Sequence, residues 1–199
     1  MASQGRLPPV SPDRLNPDQK RLFDDLVASM GKNLDDKHTF ITRNKEGAFL
    51  GPWNALLHAP NIGYPTWQLT KAMAKEEKLP QKVRQVVILT VGAHFKAAYE
   101  IYAHIGLARQ HFSEEQVQAL AGGELPVGLA SDEQLAWTIA KRLVQGGPLP
   151  DDLWAGGVET FGQDKTMEIV FLVSHYASVS MRLNGFNVTV PSEEDQYDS

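Results

Sequence analysis

The stretch "AAYEIYAHIGLAR", residues 97–109, constrains this chain most. At about 100° per residue, Ala97, Glu100, Ile101, Ala103, His104, Ile105, Leu107 and Ala108 fall in one continuous arc of a helix. Tyr99, Tyr102, Gly106 and Arg109 fill the other side. Glu100 and His104 therefore lie inside the apolar arc, about 40° apart and one turn above each other. An unpartnered charge in such a place is costly, so the two groups are expected to pair, bind something or change protonation state.

Around this helix the chain reads as a soluble globular protein. It has 199 residues, 42% hydrophobic and 22% charged, with a formal net charge of −5. That balance argues against a large basic surface for nucleic acid. There is no cysteine, so disulfides, thiolate metal sites and thiol chemistry are excluded for these residues. No apolar run approaches a membrane span. "MASQGRLPPVSPDRLNP" has no hydrophobic core of a signal peptide. A cytoplasmic location is the resulting expectation.

Residues 1–16 are rich in proline and read as an arm lying on the surface or on a partner. Asn16 caps a helix in "NPDQKRLFDDLVASM", with Pro17 at its first position and Leu22, Phe23, Leu26 and Met30 as its buried stripe. Residues 31–52 read as a long irregular connection, of the kind used as a lid or oligomer contact. Residues 51–77 read as two short helices broken at Pro60 and Pro65. Val86 to Val91 suit either a buried strand or a helix buried on all sides. Ser113 and Gln116 form a capping box, and Gly122 and Gly123 stop that helix. Ser131 is expected to cap the next helix, and a short one follows Leu149-Pro150. The segment 165–188 is long and apolar. The tail 191–199 is acidic and expected to be disordered.

One internal echo stands out. "RQVVILTVGA" (84–93) and "MEIVFLVSHY" (167–176) align without a gap at an offset of 83, each downstream of a Leu-Pro helix start. The echo suggests two related helical halves. The second copy lacks the Glu-x-x-x-His spacing.

"GPWNALLHAP", followed by "LPQKVRQVVILTVGAHFKAAYEIYAHIGLARQHFSEEQVQAL", resembles the carboxymuconolactone decarboxylase and AhpD-like superfamily over about residues 45–190. The resemblance implies an all-α fold, with residues 17–190 as one domain. It also implies homo-oligomers, often trimers or hexamers. Arg84 matches the family's arginine, whereas Gln85 stands where glutamate is usual. The peroxidase branch carries Cys-x-x-Cys-x-x-x-His. Ala97 and Glu100 occupy its two cysteine positions and His104 matches its histidine. The pattern therefore resembles the cysteine-free branch, which includes decarboxylases.

Three roles are open to Glu100 and His104. They could form a structural ion pair, an acid–base site, or, with His94, part of a metal site. As an acid–base pair, Glu100 near the helix N-terminus stays a carboxylate and holds His104 protonated as a proton donor. Arg84 could bind a substrate carboxylate or close a salt bridge at a helix start. His94 reads as solvated or capping, and His175 as a satisfied core histidine. Tyr99 and Tyr102 are read as lining a subunit contact. The four tryptophans are core or interface residues. No nicotinamide, phosphate or haem motif is present, so no cofactor is expected. The expected function is that of a cofactor-free decarboxylase or isomerase on a small carboxylated lactone or enolisable ring compound, with Glu100 and His104 catalytic and Arg84 binding substrate. The alternatives are a non-catalytic oligomeric binding protein or a metal-assisted oxidoreductase. A thiol peroxidase is excluded.

Overall fold

The computed structural model describes residues 5–35 and 40–192, with side chains omitted for 31–35. Among the described residues there are nine α-helices and no strand beyond one isolated bridge, Arg43 to Phe49. The protein is all-α. The chain divides into two compact units, Met1–Lys75 with Arg182–Ser199, and Glu76–Met181.

The first unit holds α1 (Pro17–Asp35), α2 (Gly51–His58) and α3 (Pro60–Lys75). Asn16 and Gln19 cap α1 reciprocally, each side chain on the other's backbone N–H at 2.9 and 3.0 Å. The expected stripe is buried: Leu22, Leu26 and Met30 pack with Phe49, Leu56, Leu57 and Trp67, and Phe23 sits against them. The arm is tied down, because the Asn54 side chain accepts from Val10 N–H and donates to the Leu7 carbonyl.

Two expectations are corrected here. Helix α1 runs on through Asp35, so the irregular connection is shorter than 31–52; part of it, 36–39, lies outside the described residues. Pro65 does not break a helix. It sits inside α3, in its second turn, where the helix continues despite one missing intrahelical backbone bond. The tail from 193 onward also lies outside the described residues.

Gly63 shows why α2 and α3 can cross so closely. A Cβ there would stand 2.3 Å from the Leu56 carbonyl oxygen, which is backbone and cannot swing away. Gly63→Ala is expected to destabilise the protein by about 1–3 kcal/mol through overpacking. Denaturant unfolding checks this, and an unchanged midpoint would mean that the two helices part at little cost.

The second unit is built on α4 (Gln81–Phe95), against which α5 (Ala98–Ala108), α6 (Glu114–Ala121) and α7 (Ser131–Val144) pack. Every residue of α4 from Val83 to Gly92 is buried. That burial decides the ambiguity at 86–91 for helix: the β-branched run serves a helix enclosed on all sides. Val86, Leu89, Ala108, Phe112, Val117, Leu120 and Leu129 form one cluster of this core. The capping box of Ser113 and Gln116 is present. On α7 the cap comes from Glu133, whose carboxylate accepts from the Ala130 N–H at 2.9 Å, not from Ser131. Helix α8 (Asp151–Phe161) follows Leu149-Pro150, and α9 (Gln163–Gly185) carries the second copy of the echo. Both copies, 84–93 and 167–176, are helical and both lie in this unit.

Candidate functional site

Helix α4 ends at Lys96, whose left-handed backbone (φ 53°) turns the chain so that Ala97 N–H reaches the Gly92 carbonyl at 3.0 Å. Helix α5 begins immediately after. Its third residue is Glu100, within the first turn where the helix dipole favours a carboxylate. Gly92 on α4 faces Glu100, and a Cβ there would meet the Glu100 side chain at 3.5 Å. The two helices are thus close, and the side chains of α5 reach α4.

Glu100 and His104 are 4% and 9% exposed. His104 Nε2 lies 3.1 Å from Glu100 Oε1. The direction is poor, however, and Glu100 Oε1 makes no hydrogen bond. One helical turn brings the atoms within reach but not into line. On its other edge, His104 Nδ1 lies 2.8 Å from Gln85 Oε1 on α4. With Nδ1–H donating to that carbonyl oxygen, the neutral ring presents a bare Nε2 toward Glu100, and a proton added there makes the imidazolium. The apolar arc of the sequence therefore brings a buried acid and a buried imidazole within 3.1 Å of each other.

Arg84, one residue before Gln85, is also buried. Its Nη1 donates to Glu168 Oε1 of α9 at 2.8 Å, and its Nε lies 3.2 Å from Glu77 Oε1. Glu168 Oε2 accepts the backbone N–H groups of Lys78 and Leu79 at 2.9 and 3.1 Å. The guanidinium is thus shared between two carboxylates. This is the salt bridge at a helix start that the sequence allows.

Sequence reasoning does not reach Tyr176. Its ring from α9 meets the His104 ring edge to face, with centroids 5.3 Å apart and planes at 89°. Burial pushes its phenol well above the usual range, and the Glu100 charge pushes it the same way; Arg84 opposes them. The phenol keeps its proton. The echo could have pointed here, since it aligns Gln85 with Glu168 and carries the reader along α9 to Tyr176.

Two other readings are corrected. Tyr99 is 1% exposed in the single chain and packs edge-on to Tyr102 at 5.8 Å. It is a core residue, because α5 is enclosed beyond its apolar arc, and it does not line a subunit contact. His94 is exposed against Phe95. Among the described residues no three His, Asp or Glu side chains converge as metal ligands, so His94 does not join the pair. His175 is buried and stacks edge-on with Tyr176.

A cavity of about 330 Å³ lies in the first unit, between the arm, the start of α2 and the segment after α9. Leu7, Pro8, Leu50, Asn54, Phe186 and Val188 are among its walls, and its lining carries no ionisable side chain.

This all-helical arrangement is the AhpD-like fold. The chain is similar over 98% of its length to the crystal structure of an alkylhydroperoxidase AhpD core, an uncharacterized peroxidase-related protein from Ralstonia eutropha, covering 96% of that chain with a TM-score of 0.70. The two sequences are 14% identical, so the likeness is one of fold. No family model matches the chain, and no curated protein matches it. No described helix is long and apolar enough to cross a membrane.

Proposed function

We propose that this protein is a cofactor-free lyase or isomerase whose acid–base pair is Glu100 and His104. The observation that carries the reading is the buried carboxylate 3.1 Å from an imidazole that Gln85 holds by its far nitrogen. The proposed substrate is a small carboxylated lactone or enolisable ring compound. In a decarboxylation, the bond between the ring carbon and its carboxylate breaks and carbon dioxide leaves. The electron pair passes to the adjacent carbonyl as an enolate. The imidazolium of His104 gives its Nε2 proton to the carbon, with the Glu100 carboxylate beside that nitrogen. The peroxidase-related description of the similar protein is not carried over, because no thiolate exists among these 199 residues.

Arg84 enters this proposal with a condition. To bind a substrate carboxylate it must exchange one of its present partners. Glu77 is the more exchangeable, at the longer distance and with its side chain 26% exposed, against 14% for Glu168.

The test is hydrogen–deuterium exchange and carbon dioxide release on a panel of small carboxylated lactones, comparing wild type with His104→Ala. Activity retained by the variant removes the reading. Elemental analysis of the wild type tests the metal-assisted version, which requires stoichiometric metal.

A non-catalytic binding protein is the second reading, and the uncharged cavity of the first unit favours it. Occupancy there by a neutral apolar ligand, with no chemistry at His104, is its signature.

A homo-oligomer, trimer or hexamer, is part of the same proposal. On α9, Met167, Phe171 and Met181 are 42%, 58% and 61% exposed and fall within about an 80° arc. Such a stripe supports an intersubunit contact. Sedimentation at micromolar concentration is expected to give a multiple of the 22.0 kDa chain, and the mass of one chain would count against it.

A further inference from the structure

The outer face of α9 is exposed but carries no charge over about four turns. Its exposed positions there are Met167, Phe171, Ser174, Ser178 and Met181. They recur at intervals of four and three, the spacing of a seam between two helices. A solvated helix face is ordinarily charged or polar, so an uncharged one with three large apolar side chains is a face that another surface covers. Covering it leaves no unmade bond at Ser174, whose hydroxyl donates to the Phe171 carbonyl at 2.9 Å. The seam has two unlike edges. One, about 60° from the midline, has Asp164 in the first turn of the helix and Arg182 in the last. The other carries Val170 and Ala177. Asp164 already takes Lys78 Nζ at 3.1 Å, but its side chain is 76% exposed and has room for a second cation.

We propose that the occupant of this seam is α9 of a second copy, lying antiparallel across a twofold axis that passes between residues 172 and 173. The inference rests on the homo-oligomer reading and adds its contact and its symmetry. In this register Phe171 of one copy meets Ser174 of the other, and Met167 meets Ser178. Each large side chain is thus set over a small one, as close packing requires. A twofold of this kind brings the same edge of both helices together. Asp164 of one copy then lies beside Arg182 of the other, twice, while Val170 and Ala177 close the opposite edge. A parallel pair would do the reverse. It would stack phenylalanine on phenylalanine, leave serine facing serine, and put Asp164 beside Asp164 and Arg182 beside Arg182. The pattern is therefore complementary to itself only when one copy is inverted. A threefold axis alone cannot generate such a contact, so the assembly is even-numbered: a dimer, or a hexamer rather than a trimer.

The absence of cysteine makes the test direct, because any cross-link must form between introduced thiols. The full chain carrying both Met167→Cys and Ser178→Cys is oxidised mildly and run on a non-reducing gel. The two positions are about 16 Å apart along one helix, too far to link within a chain. Across the antiparallel seam they face each other, so the double variant is expected to run as a covalent dimer. Each single variant is expected to stay a monomer, since its own copy lies about 16 Å away. Cross-linking by the single variants would mean a parallel pair and overturns the proposal, as does a double variant that does not link. Phe171→Glu, at an exposed position, is the second measurement. It is expected to weaken the α9 contact by about 30-fold or more, as for a central apolar anchor, and to lower the sedimenting mass. A wild-type assembly that is odd-numbered, or one that Phe171→Glu leaves intact, overturns the α9 contact and leaves the homo-oligomer standing. A wild type that sediments as one chain overturns both.

Discussion

His104→Ala is expected to lower turnover by about 10²–10⁴-fold, the range for a positioned general acid. Glu100→Gln should cost less. A neutral amide can still contact the imidazole one turn away, but it places no charge beside the ring. The geometry makes the comparison informative, because Gln85 holds the ring by Nδ1 whatever stands at position 100. A purely structural pair predicts a different pattern. Removing one member of a buried pair strands the other at about 3–5 kcal/mol, so the damage would appear in thermal unfolding. Unfolding curves and lactone binding on both variants separate the two. If both lose stability heavily and neither changes binding, the catalytic reading is dropped.

Arg84→Met is expected to be the most destabilising single change in the second unit. It leaves Glu77 and Glu168 facing each other with no cation between them, and breaking such a buried arrangement costs about 3–5 kcal/mol. Replacing Glu77 and Glu168 by glutamine in the same chain should restore much of the loss, since the stranded charges are then gone. Glu77→Gln alone tests the substrate role. It frees the Nε side of the guanidinium, so a carboxylated ligand should bind more tightly than to wild type. Unchanged binding would make Arg84 a structural residue only. Chemical denaturation and titration calorimetry on these variants give the answer.

Much of this was legible from residue order. The helix caps at Asn16 and Ser113 are local, and a local signal needs no knowledge of the fold. The pairing of Glu100 with His104 is also local, since one turn of helix brings i and i+4 together wherever the helix lies. Gln85, Glu168 and Tyr176 were not legible as partners. They reach the site through the packing of α4, α5 and α9, and no spacing rule links residue 85 to 104 or 84 to 168. Tyr99 went astray for a related reason. A helical wheel assumes one buried side, whereas α5 is enclosed on more than one. The run 86–91 stayed ambiguous by propensity because full burial selects the same branched side chains in a helix as in a strand.

The Glu168 contact has a consequence for the order in which the second unit comes together. Its carboxylate holds Arg84 and the backbone of Lys78 and Leu79, all 84 or more residues earlier. During synthesis, α4 emerges long before α9. Until α9 arrives, Arg84 has only Glu77, and the entry to α4 is unlatched. Contacts this distant in sequence carry a large loop-closure cost before they return anything. The ring of Tyr176 travels on the same helix. The surroundings of His104 are therefore completed only when α9 docks, late in the assembly of the unit.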